Sequence, residues 1–218
     1  MSPDRAAQLK PQTRQKRVGD ALRRETRNRI LEAAETEFTA GGYTGTTVTR
    51  LAATAGVSVQ TLYLAWGSKR ELLRGYMEHV LAGEAASPAD ATTRFAGMTP
   101  NERLTELANL VAEIAGRAAT GWSLYRDAAA VDPEIAEDWN ELQLLRHQLV
   151  ARVFEDIPTS ALATGLAPAD AIDSAWVIAS PESYDLLVRR RGYSLDHFRG
   201  WMGSTLSASL LDSGSLER

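Results

Sequence analysis

The chain is 218 residues long, 44% hydrophobic, with a formal net charge of −4 and no cysteine. This is ordinary for a globular protein and excludes wholesale disorder, disulfide bridges and thiolate metal sites. No apolar run approaches the roughly 18 residues of a membrane helix, and the opening MSPDRAAQLKPQTRQKRVGDALRR has no secretory h-region, so a cytoplasmic protein with no membrane partner is expected.

Charge divides the chain. Residues 1–82 carry 13 Lys+Arg against 8 Asp+Glu, while residues 83–218 carry 11 against 20. A basic front on an acidic body points to a polyanion partner at one end. Residues 1–19 are expected to form a flexible basic arm, which opens a basic extension from Lys10 to Arg29 with eight Lys or Arg. Arg14, Lys16 and Arg17 would lie along phosphates or in a minor groove; a solubilising tail is the alternative.

Nearly every periodic segment that follows has helical spacing. Ile30, Ala34 and Phe38 mark one face of a helix over about 20–40, which Gly41 and Gly42 stop. Val48, Leu51, Ala52 and Ala55 form a short stripe with Thr47 as N-cap and Gly56 beyond its end. A third helix starts at Ser58, and a fourth starts at Ser68 with the capping-box form SKRE and a stripe from Leu72 to Val80. Small and polar residues in GEAASPADATTRFAG read as a joint between two modules.

Behind the joint, TPNE at Thr99–Glu102 opens a helix to about Ala119, and Gly121 precedes a shorter helix with Trp122 and Tyr125. DPE at Asp132–Glu134 caps the next, which carries Trp139. A long apolar helix over about 168–191 contains Trp176 and should be interrupted by Pro181. Gly192 ends it, and Ser194 caps a final helix to about Leu211. The fold class is all-α: a three-helix front over residues 20–67 and a helical bundle over 68–218, about nine helices in all.

The second and third helices have the lengths and spacing of a helix-turn-helix, in which the N-terminal residues of the third meet base edges in the major groove. Those residues are Ser58, Val59, Gln60 and Thr61. Gln60 can donate and accept at once, which suits adenine, and Val59 and the Thr61 methyl suit a thymine methyl. Tyr63 offers a hydroxyl to phosphate, and Lys69 places a charge in the first turn of the fourth helix.

The segment FTAGGYTGTTVTRLAATAGVSVQTLYLAWGSKRELL, Phe38 to Leu73, resembles the N-terminal DNA-binding domain of the TetR (tetracycline repressor) family. The resemblance implies an all-helical homodimer that pairs through its last two long helices, binds double-stranded operator DNA and carries a small-molecule effector in the rear bundle. It implies that Thr47 meets phosphate, that Thr49 or Arg50 lies near the groove, and that Tyr63 and Lys69 grip the backbone. Leu64 and Ala65 depart from the family pattern, which often has an aromatic and a histidine there. Trp66 replaces the usual Phe as a core substitution, and Arg70 stands where Glu is common, adding charge near the DNA side.

Trp122, Tyr125, Trp139 and Trp176 would line an apolar effector pocket, with plain core as the alternative. No P-loop, dinucleotide turn, metal-spaced histidine pair or nucleophile elbow is present, so no catalytic residue, metal or cofactor is expected. The carboxylates of Asp127, Asp132, Glu137 and Asp138 are expected at helix ends, as caps and solvated groups. The reading is a ligand-responsive DNA-binding regulator, most simply a repressor released by its effector. The alternatives are a helical-bundle enzyme or a ligand-binding scaffold.

Overall fold

Residues 14–82 and 94–212 are described by the structure, a computed structural model, with side chains from residue 18 onward. Expectations placed on residues 1–13 and on the joint at 83–93 lie outside the described residues, as do the side chains of Arg14, Lys16 and Arg17.

The first four helices are α1 (Arg14–Gly45), α2 (Val48–Thr54), α3 (Val59–Trp66) and α4 (Lys69–Ala82). Helix α1 runs through Gly41 and breaks only at Gly42, whose φ of 66° is a conformation glycine tolerates. The next two helices start on hydroxyl caps. Thr47 accepts from the Arg50 N–H at 3.2 Å and Ser58 from the Thr61 N–H at 3.0 Å. Gly56 turns the chain between them with φ 63°.

Behind lie α5 (Pro100–Ala129), α6 (Pro133–Phe154), α7 (Pro168–Ile178), α8 (Pro181–Tyr184, continued by a π turn over Asp185–Arg190) and α9 (Leu195–Leu210). Thr99 and Glu102 close a full capping box on α5, and Asp132 caps α6. Ser180 and Pro181 interrupt the apolar stretch where the proline predicts, because proline cannot continue the hydrogen-bond ladder.

One expectation is corrected. Gly121 does not separate two helices: α5 runs unbroken past it. The glycine is buried at a close crossing, where a Cβ would sit 3.1 Å from Met77 Sδ and 3.2 Å from Val80 Cγ2 of α4. It serves packing, not termination.

Helix α5 packs against α1, α4, α6, α8 and α9, and so belongs to both cores. The front core gathers Ile30, Phe38, Leu51, Leu62, Leu72 and Met77 with Trp122 and Tyr125 of α5 and Ile135 of α6. The rear core joins Leu104 and Leu107 to Val150, Phe154, Phe198, Met202 and Leu206. Phe95, in the second half of the expected joint, is buried in that rear core. Among the described residues no helix is long and apolar enough to cross a membrane.

Candidate nucleic-acid interface and rear cavity

Helix α3 is amphipathic over eight residues. Leu62 is fully buried, while Ser58, Gln60, Tyr63 and Leu64 are exposed, Leu64 to 81%. Ser58 Oγ lies 2.8 Å from Thr61 Oγ1, so these two hydroxyls are partly occupied with each other. Val59 and Thr61 are half-buried, and Val59 leans on the front core. Thr47, Thr49 and Arg50 are exposed along the start of α2. Thr47, Thr49, Arg50, Ser58, Gln60 and Tyr63 are thus all exposed on α2, α3 and their caps.

The front's cations are less free than the sequence suggests. Lys69 Nζ donates to the carbonyls of Tyr43 at 2.9 Å and Thr46 at 3.1 Å, and lies 4.0 Å from the centre of the Tyr43 ring. Two of its three donors thus close the α1–α2 turn; burial pulls its pKa down, and the charge of Asp132 opposes that. Arg50 Nε pairs with the buried carboxylate of Glu37, which also accepts from Thr54 at 2.6 Å. Arg29 donates to the carbonyls of Ala55 and Gly56 at 2.6 and 2.9 Å. Arg27 bonds the Ala65 carbonyl and stacks over Trp66 with its guanidinium carbon 3.7 Å from the ring centre. Arg27 and Arg29 therefore satisfy carbonyls at the C-terminal ends of α3 and α2, which helices leave unpaired.

Two further corrections follow from the side chains. Arg70 does not add free charge on the DNA side: its Nε and Nη2 clasp Asp138 at 2.7 and 2.8 Å and its Nη1 bonds Glu134 at 3.0 Å. Asp138 in turn is no helix-end carboxylate. It is buried within α6, accepts from Tyr125 Oη at 3.2 Å, and is held below the usual carboxylate range chiefly by the Arg70 hydrogen bonds. The reason is partnership: Arg70, at the start of α4, reaches Glu134 and Asp138 in the first two turns of α6, so the arginine meets carboxylates before it meets solvent.

Between α4, α5, α6 and α8 lies a cavity of about 460 Å³, within the range of small-molecule sites. Leu81, Leu107, Val111, Trp122, Leu142, Leu149 and Tyr184 form much of its wall, with Arg146 among them. Of the four aromatic residues expected to line a pocket, Trp122 does so. Tyr125 is 1% exposed and stacks on Trp139, which also meets Trp122 edge-on at 5.6 Å. Trp176 sits beneath Arg146. These three rings are used in packing and do not line the cavity. Arg146 was not singled out in the sequence; one arginine among apolar i, i+3, i+4 positions of α6 was the available signal. Among the described residues no cluster of His, Cys, Asp or Glu could hold a metal ion.

A capped second helix, a glycine turn and an amphipathic third helix with a polar outward edge define a helix-turn-helix module. Residues 30–76, which span this module, match the family described as bacterial regulatory proteins, tetR family. The fold extends over most of the chain. NalD, the secondary repressor of the MexAB-OprM multidrug efflux pump in Pseudomonas aeruginosa, is 18% identical with a TM-score of 0.71, covering 89% of this chain and 99% of its own. A transcriptional regulator of the TerR/AcrR family from Aquifex aeolicus VF5 is 16% identical with a TM-score of 0.65, covering 84% and 98%. A transcriptional regulator from Rhodococcus sp. Rha1 is 14% identical with a TM-score of 0.59, covering 84% and 94%. No curated protein matches the chain in sequence.

Proposed function

We propose that the chain is a cytoplasmic repressor that binds a quasi-palindromic operator as a homodimer and is released by a small molecule in the rear cavity. Gln60, with Ser58, Val59 and Thr61 beside it, reads base edges, while Thr47, Thr49, Arg50 and Tyr63 hold the backbone. Lys69 fixes the turn before α2 and keeps one N–H for a phosphate. The dimer forms on α7 and α9, where Val177 is 59% exposed and Gly200, Ser204 and Ala208 form a small exposed face. The reading requires no catalytic residue, metal or cofactor.

One observation carries the ligand-responsive part: α4 follows the recognition helix directly and ends on the cavity. Leu81 lines the cavity, and Arg117 of α5 donates to the Val80 and Leu81 carbonyls, each at 3.0 Å. The other end of α4 is clasped to Asp138 by Arg70. An effector that favours a different α4 position shifts the recognition helices, and it acts only through unequal affinity for the two positions.

The test is fluorescence anisotropy of the purified chain on DNA from upstream of its own gene. Gln60→Ala should weaken binding by about 1–3 kcal/mol and relax discrimination at one base; Tyr63→Phe should weaken it at every sequence. Tight, sequence-selective binding by both variants would sink the assignment of α3 as the reading element. A transcriptional reporter then separates repression from activation.

A further inference from the structure

We infer that the rear cavity is built for an amphipathic anion: an apolar body carrying a carboxylate that docks on the guanidinium of Arg146. The inference rests on the cavity being the effector site, and adds the chemical class of the effector.

Among the described residues, the cavity wall is apolar with two charged residues, Arg146 and Arg152, both cations, and no Asp or Glu lines it. Arg146 is held rigidly. Its Nη1 donates to the Trp176 carbonyl at 2.7 Å and the Ala179 carbonyl at 3.4 Å, and its Nε to Gln143 Oε1 at 3.0 Å. The guanidinium carbon lies 4.4 Å from the Trp176 ring centre, which fixes the plane of the group. Among the described residues Nη2 has no hydrogen-bond partner and no carboxylate is paired with the side chain. The acid whose charge it feels, Glu182, does not contact it.

A half-buried guanidinium with only neutral acceptors is short of counter-charge, since removing a cation from water is costly without a paired anion. Its pKa shows the same shortage, pulled by burial to about 10. A planar carboxylate offers two acceptors to the free donors of a guanidinium, and such bonds are stronger than neutral ones. The remaining wall, from Leu81 and Leu107 to Leu149 and Tyr184, suits a hydrocarbon or aromatic body. Among the described lining residues a cationic ligand would meet two arginines and no acid.

The experiment compares three headgroups on one tail by isothermal titration calorimetry of the full chain: decanoate, decanol and decyltrimethylammonium, each below its micelle concentration. Decanoate should bind roughly ten- to a hundredfold more tightly than decanol, the worth of a charge-assisted contact, and the cation should bind worst. Arg146→Gln should abolish the preference while leaving decanol affinity unchanged; Arg146→Lys should keep part of it. Equal binding of decanoate and decanol to the unaltered chain overturns the inference but leaves the cavity reading standing. Binding of none of the three overturns both. The headgroup comparison decides even if Arg146→Gln does not fold.

Discussion

Gly75 and Trp66 meet so closely that either residue dictates the other. Gly75 lies buried in α4, and a Cβ built there would fall 2.0 Å from Trp66 Cζ3 and 2.4 Å from Cη2. The indole cannot simply retreat, because Arg27 stacks on it. Overpacking of this kind costs about 1–3 kcal/mol, while alanine regains up to about 1 kcal/mol over glycine in a helix. Gly75→Ala should therefore lose a net of about 1–2 kcal/mol, a fall of roughly 2–8 °C in Tm for a chain of this size. The companion is Trp66→Leu, which removes the clashing ring and breaks no hydrogen bond, since the buried indole N–H has no partner. Melting curves followed by circular dichroism on wild type, both single variants and the double variant give a coupling energy. The double variant should be more stable than the sum of the single losses by at least about 1 kcal/mol. Losses that add to within about 0.5 kcal/mol would mean the two residues do not act on each other, and the packing argument fails.

Asp138→Asn should make the stability of the chain less sensitive to acid. The folded carboxyl lies below its ordinary value of 3.8, so its contribution is complete above that pH and is lost as pH falls through the lower folded value; melts at descending pH that run parallel to wild type would refute this. Ala119→Phe, on the cavity wall, should leave operator affinity intact and abolish response to any effector that binds there, read by anisotropy with and without ligand. Replacing Lys10, Arg14, Lys16 and Arg17 with Gln should flatten the dependence of operator affinity on salt, by up to about 0.9 in log–log slope for each phosphate the arm ceases to neutralise; an unchanged slope makes the segment a solubilising tail.

The helices were legible because the local rules agree. Thr47, Ser58, Thr99, Asp132 and Ser194 each precede an apolar stripe, and each caps a helix. Gly121 misled because the same residue type ends helices and admits close crossings, and only the neighbouring helix decides between them. At the start of α3, Ser58 and Gln60 are exposed as their polarity suggests, but Val59 and Thr61 are half-buried. The inward destinations of Arg27, Arg29 and Lys69 were not readable, because their acceptors are backbone carbonyls 23 to 38 residues away. Asp138 looked like part of a surface acidic group, and its partner Arg70 lies 68 residues away. The four aromatic residues were visible as a set, but which ring faces a void depends on helix rotation, and only Trp122 was turned toward it.

Several cations of the basic front therefore hold the module together. Arg27 and Arg29 close helix ends, Lys69 closes a turn, and Arg70 joins α4 to α6. Arg50 stays 60% exposed at its side chain yet leans on Glu37, so contact with phosphate would trade one carboxylate partner for another anion. Such an exchange gains little net charge attraction, because the arginine leaves a buried acid behind. On the proposed reading, base contacts rest on neutral donors and acceptors, Gln60 foremost, whose contribution is set by geometry and varies little with salt. On the proposed reading Lys69 serves both the turn and a phosphate, whereas Gln60 serves base reading alone, so a substitution at Gln60 should change which sequence is read with little effect on affinity for all DNA.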